Sequence, residues 1–209
     1  MLAHRIKNWL GGLVRYRPTR FSGNEWNLQY STGRWDSLGN IGELAHHSII
    51  AGYFRHYSAN RSVLDVCCGE GVLQGVLGKD AYSNYVGVDI SSAAIAKAEA
   101  RLSANTTFFS ADVAAFIPAQ CFSVIVFNEC LYYFEDPLAV LERYERFLCG
   151  NGVFVVSMYV QKQPARIWRM IDANYQVQDE TKVTNSVGVS WTVKAIKPRG
   201  EPAPANCVK

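Results

Sequence analysis

The sequence predicts an α/β domain on a doubly wound, mostly parallel sheet that closes with an antiparallel hairpin. The string VLDVCCGEG, from Val63 to Gly71, is an apolar run that ends in an acid and breaks into a glycine turn. Short apolar runs then alternate with segments of helical spacing as far as about residue 172, the pattern of a parallel sheet with helices on both faces. After that, two strand-like strings, YQVQDETKV and VSWTVKAIK, succeed one another with residues 184–188 as the turn. A link that short joins antiparallel strands only.

Composition bounds the rest. At 209 residues and 49% hydrophobic content the chain can bury one core without staples. A net charge of +3 is too small to imply nucleic acid, and no DNA partner is expected. The six cysteines lack metal-ligand spacing, so no metal site is expected and reduced thiols of a cytoplasmic protein are the reading. No apolar run is long enough to span a membrane.

The chain divides into an N-terminal basic amphipathic and lid segment (1–40), the main domain (41–199) and a tail (200–209). Leu2, Ile6, Trp9, Leu10, Leu13 and Val14 recur at helical spacing, while Arg5, Lys7, Arg15, Arg17 and Arg20 supply charge with no acid among residues 1–20. Such a segment either docks on the domain as a lid or makes peripheral contact with an anionic membrane surface. Residues 21–40, rich in Gly, Asn and Ser with aromatics between, read as irregular.

A helix over 43–57 leads into a strand at 62–66. Then come a helix at 71–78, a strand at 85–89, a helix at 92–103, a strand at 107–109, a short helix near 113–116 and a strand at 122–127. Ser91 is placed to cap the helix at 92, and Asp136 followed by Pro137 opens a helix running to about Leu148. Gly150 and Gly152 end that helix before the buried strand VFVVSMY, and a last helix falls near 164–172.

Strand, glycine turn, helix, strand, acid is how such a sheet makes a nucleoside pocket at its carboxyl edge. Glycine admits a ligand where a Cβ would collide, and Asp89, closing the string YVGVDIS, can accept from both ribose hydroxyls. The spacing argues against a dinucleotide, since Gln74 stands where a third glycine is required, and no P-loop string is present. On these two motifs the chain resembles the class I S-adenosylmethionine-dependent methyltransferases, whose first motif reads roughly D-x-G-x-G-x-G. The resemblance covers about residues 40–197 and implies a seven-stranded sheet in the order 3-2-1-4-5-7-6. One departure stands in the motif: Cys67 occupies the first glycine position.

The resemblance implies S-adenosylmethionine as cofactor, with Asp65, Cys67, Gly69 and Gly71 around its methionine portion. Asp89, with Ile90 beside it, falls to the ribose, and Asp112 with Val113 to the adenine; Asp112 also suits a plain helix cap. In FNECLYYFEDP, Asn128 and Glu129 fall beside the methyl donor, Asn128 offering its backbone carbonyl to the cofactor ammonium. Glu129 is the candidate proton acceptor, or else an orienting carboxylate. Tyr132, Tyr133 and, from the N-terminal side, Trp35 are candidate substrate-pocket walls. His46 and His47 are further candidates, as a base or as partners of the cofactor carboxylate, against the plainer reading of one packed and one exposed imidazole.

The expected function is methyl transfer to O or N of a small molecule, sugar-like or a natural-product intermediate. The sugar-like part rests on a similarity to small methyltransferases of glycan and natural-product pathways. The alternatives are a tRNA or protein methylase, for which the basic N-terminus speaks, and a non-catalytic cofactor-binding partner subunit.

Overall fold

The computed structural model describes residues 21–200; the basic amphipathic segment and the tail lie outside the described residues. The strands are β1 (Ser62–Val66), β2 (Asn84–Asp89), β3 (Thr106–Ser110), β4 (Phe122–Asn128), β5 (Leu148–Tyr159), β6 (Tyr175–Thr184) and β7 (Ser190–Pro198). The helices are α1 (Gly23–Ser31), α2 (Ile41–Tyr57), α3 (Val72–Leu77), α4 (Ser92–Glu99), α5 (Pro137–Glu145) and α6 (Lys162–Asn174), with short 3-10 turns at Asp36–Gly39 and Leu131–Tyr133.

Among the described residues the seven strands form one sheet in the order β3-β2-β1-β4-β5-β7-β6, as the resemblance implied. Strands β1 to β5 pair in parallel, and β7 runs antiparallel to both β5 and β6. Successive residues of a strand face opposite sides, and the central strands are apolar on both. Val63, Tyr85, Val124, Val126 and Val155 pack under α2, α3 and α4. Leu64, Val66, Ile125, Phe127 and Val156 pack under α5 and α6. Because β1 to β5 run in parallel, the carboxyl ends of β1, β2 and β4 lie on one edge, with the glycine turn, Asp89 and Asn128 at them.

Several sequence expectations are corrected. Residues 21–40 are not irregular throughout: a capping box starts α1, with Ser22 N–H donating to Glu25 Oε2 (2.7 Å) and Glu25 N–H to Ser22 Oγ (3.3 Å). Helix α4 stops at Glu99 rather than 103, because Ser103 Oγ is held by Tyr82 Oη and Thr106 Oγ1 (2.9 and 2.8 Å) to begin β3. Near 113–116 there is one turn only, closed by Ala115 and Phe116 N–H on Asp112 O (2.9 and 2.8 Å). Pro118 soon after denies it a second turn. Helix α5 ends at Glu145, and β5 begins at Leu148, so Gly150 and Gly152 lie inside a strand where the register against β4 shifts.

Among the described residues, no helix is long and apolar enough to cross a membrane. Nor does any group of three or more His, Cys, Asp and Glu come together as a metal site.

Candidate active site

The turn after β1 is built from left-handed backbone. Gly69 and Gly71 have φ of 53° and 71°, and Cys67 takes 61° without being glycine. That conformation costs an L-residue roughly 1–2 kcal/mol, which gives a physical reason for the family's glycine at this position and shows what Cys67 departs from. Cys67 Sγ lies against the Cys130 thiol, and that contact with burial raises its pKa. A Cβ on Gly71 would meet Phe108 Cζ at 3.0 Å and Ala98 Cβ at 3.3 Å. Gly71→Ala is therefore expected to lower stability by about 1–2 kcal/mol, read by urea denaturation.

Asp89 ties the two motifs together. Its Oδ2 accepts from Gly69 N–H (3.0 Å) and its Oδ1 from Ser91 N–H (2.8 Å). Each oxygen keeps a further lone pair for a ligand hydroxyl. Burial raises its pKa against those amides. Ile90, next in the chain, is 37% exposed and lies where a Cβ on Gly23 of α1 would meet its side chain at 3.4 Å. Asp112 is exposed, with Oδ1 capping Ala114 N–H (2.9 Å), while Val113 beside it is buried. The Asp65 carboxyl is buried below the turn and accepts from Tyr85 Oη. Burial pushes its pKa up to about 7.

A cover from the N-terminal side lies over this turn. Tyr30 Oη stands 2.7 Å from where a Cβ on Gly69 would be. Trp35 packs on Trp26 and Tyr30 (ring centroids 5.9 and 6.3 Å), and Trp26 in turn meets Tyr133 edge-on at 5.0 Å. Asn27 Oδ1 accepts from Ser91 Oγ (2.9 Å) and Ala93 N–H (3.1 Å), fastening α1 to the start of α4. Lys97 bridges Asp36 of the cover (2.9 Å) and Glu70 of the turn (2.6 Å).

At the end of β4, Glu129 takes a left-handed φ of 54°. Strain of this kind in a non-glycine residue marks sites where the side chain is needed. Its Oε2 accepts from Tyr132 Oη (3.1 Å) and Tyr159 N–H (3.2 Å), and Ser157 Oγ donates to Oε1 (3.4 Å). Burial pushes its pKa up to about 8 in spite of those donors. Tyr132 packs at a tilt on Tyr133 and edge-on to Tyr159 (4.7 and 5.5 Å), forming an aromatic wall beside the carboxyl. Burial also pushes the Tyr133 hydroxyl up to about 12.

Asp65 and Glu129 share a consequence for stability. Both carboxyls hold their protons in the fold to a higher pH than in the unfolded chain. Through these two carboxyls the native state binds more protons, which makes stability fall as pH rises, while the lowered pKa values of His46 and His47 act in the opposite sense below about 6.5. The decline is therefore expected in urea midpoints taken from about pH 7 to about pH 8, above the imidazole range, and it should shrink in Glu129→Gln.

The two histidines separate. His46 is 1% exposed, stacks on Trp191 at 4.6 Å and has its pKa lowered to about 3, chiefly by burial. His47 is also buried rather than exposed, and burial lowers its pKa. Its Nε2 lies 3.1 Å from Asn128 Nδ2 and its Nδ1 2.8 Å from Glu43 O. Neither imidazole stands free as a base.

The chemistry around the turn fits a nucleoside with an amino-acid end: Asp89 lies at the end of β2 with its carboxylate on the turn, and Asn128 Oδ1, Gln29 Oε1 and Trp35 Nε1 are buried polar atoms with no partner in the protein. A family model described as "Methyltransferase domain" matches residues 57–197. The chain belongs to the class I S-adenosylmethionine-dependent methyltransferases. As a methyltransferase it takes S-adenosylmethionine as cofactor, which when bound supplies a carbon already activated for displacement.

Several known proteins resemble this methyltransferase. The crystal structure of the N-methyltransferase NodS from Bradyrhizobium japonicum WM9, in complex with S-adenosyl-L-homocysteine, superposes with a TM-score of 0.69 at 17% identity, covering 84% of this chain and 99% of that one. Magnesium protoporphyrin IX methyltransferase (ChlM) from Synechocystis PCC 6803, with bound S-adenosylhomocysteine, gives 0.66 at 12% identity over 83% of this chain and 96% of its own. These two likenesses are of fold. The malonyl-[acyl-carrier protein] O-methyltransferase of Bacillus anthracis is 24% identical over 132 residues, 61% of this chain. The chain spans only 49% of that relative's length.

Sequence reasoning missed Asn27, Tyr30, Tyr85, Lys97 and Tyr159. The capping box at Ser22 and Glu25 and the helical spacing of Trp26 and Tyr30 were readable signals for α1. Nothing local announces Tyr85 or Tyr159, which join the site only through strand pairing.

Proposed function

We propose that this methyltransferase acts on a protic O or N atom of a small molecule, sugar-like or a natural-product intermediate, with Glu129 as proton acceptor. The observation that carries the reading is the buried Glu129 carboxyl, held on left-handed backbone by three donors beside the unpartnered Asn128 Oδ1. Gly69, Gly71, Cys67, Asn128 and the cover from Tyr30 to Trp35 would hold the methionine end of the cofactor. Asp89 and Ile90 would hold the ribose, and Asp112 and Val113 the adenine. Asp65 serves the turn from below through Tyr85.

Methyl transfer from a sulfonium is an in-line displacement, so the chain's own part is alignment and exclusion of water. A base matters when the nucleophile must shed a proton. Glu129 has the raised affinity for protons that suits this, and the aromatic wall of Tyr132, Tyr133 and Tyr159 confines the acceptor. The names of the relatives, one an N-methyltransferase and another a malonyl-[acyl-carrier protein] O-methyltransferase, support an acceptor atom of either kind.

The test is a mass-spectrometric screen of metabolite and oligosaccharide pools with S-adenosylmethionine and the full chain. A methyl mass gain with matching S-adenosylhomocysteine is the expected result. Cofactor bound in calorimetry but no S-adenosylhomocysteine formed with any acceptor would sink catalysis and leave the partner-subunit reading.

A further inference from the structure

Two groups decide which way the Asn128 carboxamide faces. His47 Nδ1 lies 2.8 Å from Glu43 O, a carbonyl that can only accept. Nδ1 therefore carries the hydrogen, and in a neutral ring Nε2 is then bare and must accept. Its neighbour at 3.1 Å is Asn128 Nδ2, which donates. Rotating the carboxamide by half a turn would set Oδ1 against the bare Nε2, acceptor against acceptor. The other end, Oδ1, is buried with no protein partner. The His47 ring packs at a tilt of 33° on His46 at 4.2 Å, which is itself stacked on Trp191 at 4.6 Å.

We propose that His47 is a positioning residue which, as the Nδ1–H tautomer, locks the Asn128 carboxamide so that the site presents a hydrogen-bond acceptor. The ligand group this selects is an N–H or O–H donor, supplied either by the cofactor ammonium or by the acceptor nucleophile. This rests on the reading that the carboxyl end of β4 is the methyl-transfer end. It departs from the sequence expectations at both residues: the Asn128 side chain rather than its backbone carbonyl receives the donor, and His47 neither titrates in turnover nor pairs with a carboxylate. An unmet buried acceptor costs the free protein its desolvation, which a ligand donor restores, so the arrangement rejects ligands lacking that donor.

The experiment has a part that needs no ligand. Long-range 1H–15N correlation spectra of the full chain should show His47 with a protonated Nδ1 and a bare Nε2, and Nε2–H would overturn the proposal. His47→Phe keeps a ring but loses the acceptor, whereas His47→Gln can place Oε1 near the position of Nε2. His47→Phe should lower either S-adenosylhomocysteine affinity or kcat/KM by about tenfold, as loss of one oriented hydrogen bond does. His47→Gln should return it to within about threefold of the parent.

A loss of S-adenosylhomocysteine affinity that vanishes with its deaminated analogue assigns the donor to the cofactor. Unchanged affinity with lowered kcat/KM assigns it to the acceptor. Equal behaviour of His47→Phe and the parent in both readouts, or equal impairment of the Phe and Gln variants, overturns the positioning role. Failure of the parent to bind S-adenosylhomocysteine would instead sink the functional reading while the tautomer result stood.

Discussion

Asp89→Ala is expected to weaken S-adenosylhomocysteine binding about 100-fold or more, measured by calorimetry. Two effects act together. Hydrogen bonds from a ligand's ribose hydroxyls to a carboxylate contribute about 1.5–3 kcal/mol each, and two of them account for the factor. The same carboxylate anchors Gly69 N–H and Ser91 N–H at 3.0 and 2.8 Å, so its removal also frees the glycine turn and the first turn of α4. Circular dichroism should still report a folded chain, since the sheet around β2 is packed on both faces. Unchanged affinity in a folded Asp89→Ala protein would mean that the pocket is elsewhere.

Glu129→Gln separates chemistry from binding. The amide is isosteric, and its Oε1 can keep the bonds from Tyr132 Oη and Tyr159 N–H while its Nε2 faces Ser157 Oγ. Cofactor affinity should therefore stay within about twofold. Turnover should fall about 100-fold, the smaller end of what a positioned base contributes. The carboxyl ionises only above about 8, so the parent rate should climb with pH through that value. In the Gln variant the same profile should be flat. A Gln variant with parental turnover would leave Glu129 an orienting group only.

The legible parts of this molecule are those whose chemistry is local. The acid at the end of β2, the glycines after β1 and the caps at Ser91 and Asp136 each announce themselves within a few residues, and each lies where its pattern put it. The strand order beyond simple alternation came from the family resemblance. Residues 21–40 were misread because their Gly, Asn and Ser content outweighed a four-residue capping box. The helix foreseen at 113–116 failed because Pro118 limits it to one turn.

Asp65 shows a different limit. Its position after an apolar run is plain in the sequence, but only the register of β1 against β2 reveals that Tyr85 takes its carboxyl. His46 and His47 are likewise identical by pattern. One hundred degrees of helical rotation sends the first under Trp191 and the second to Asn128.

The Lys97 bridge is a fastening of unequal arms, and ionic strength acts on them unequally. Glu70 is 9% exposed at its side chain and Asp36 66%. Raising salt from 0.1 to 1 M shortens the screening length from about 10 to about 3 Å, which bears far more on the solvated arm. The Asp36 arm should yield first, leaving Lys97 on Glu70 and the glycine turn intact. Trypsin cleavage at the exposed Arg34 should accordingly quicken with salt well before the sheet melts. Ionic strength then becomes a quantity that sets how tightly the N-terminal cover closes over the turn, separately from how stably the domain is folded.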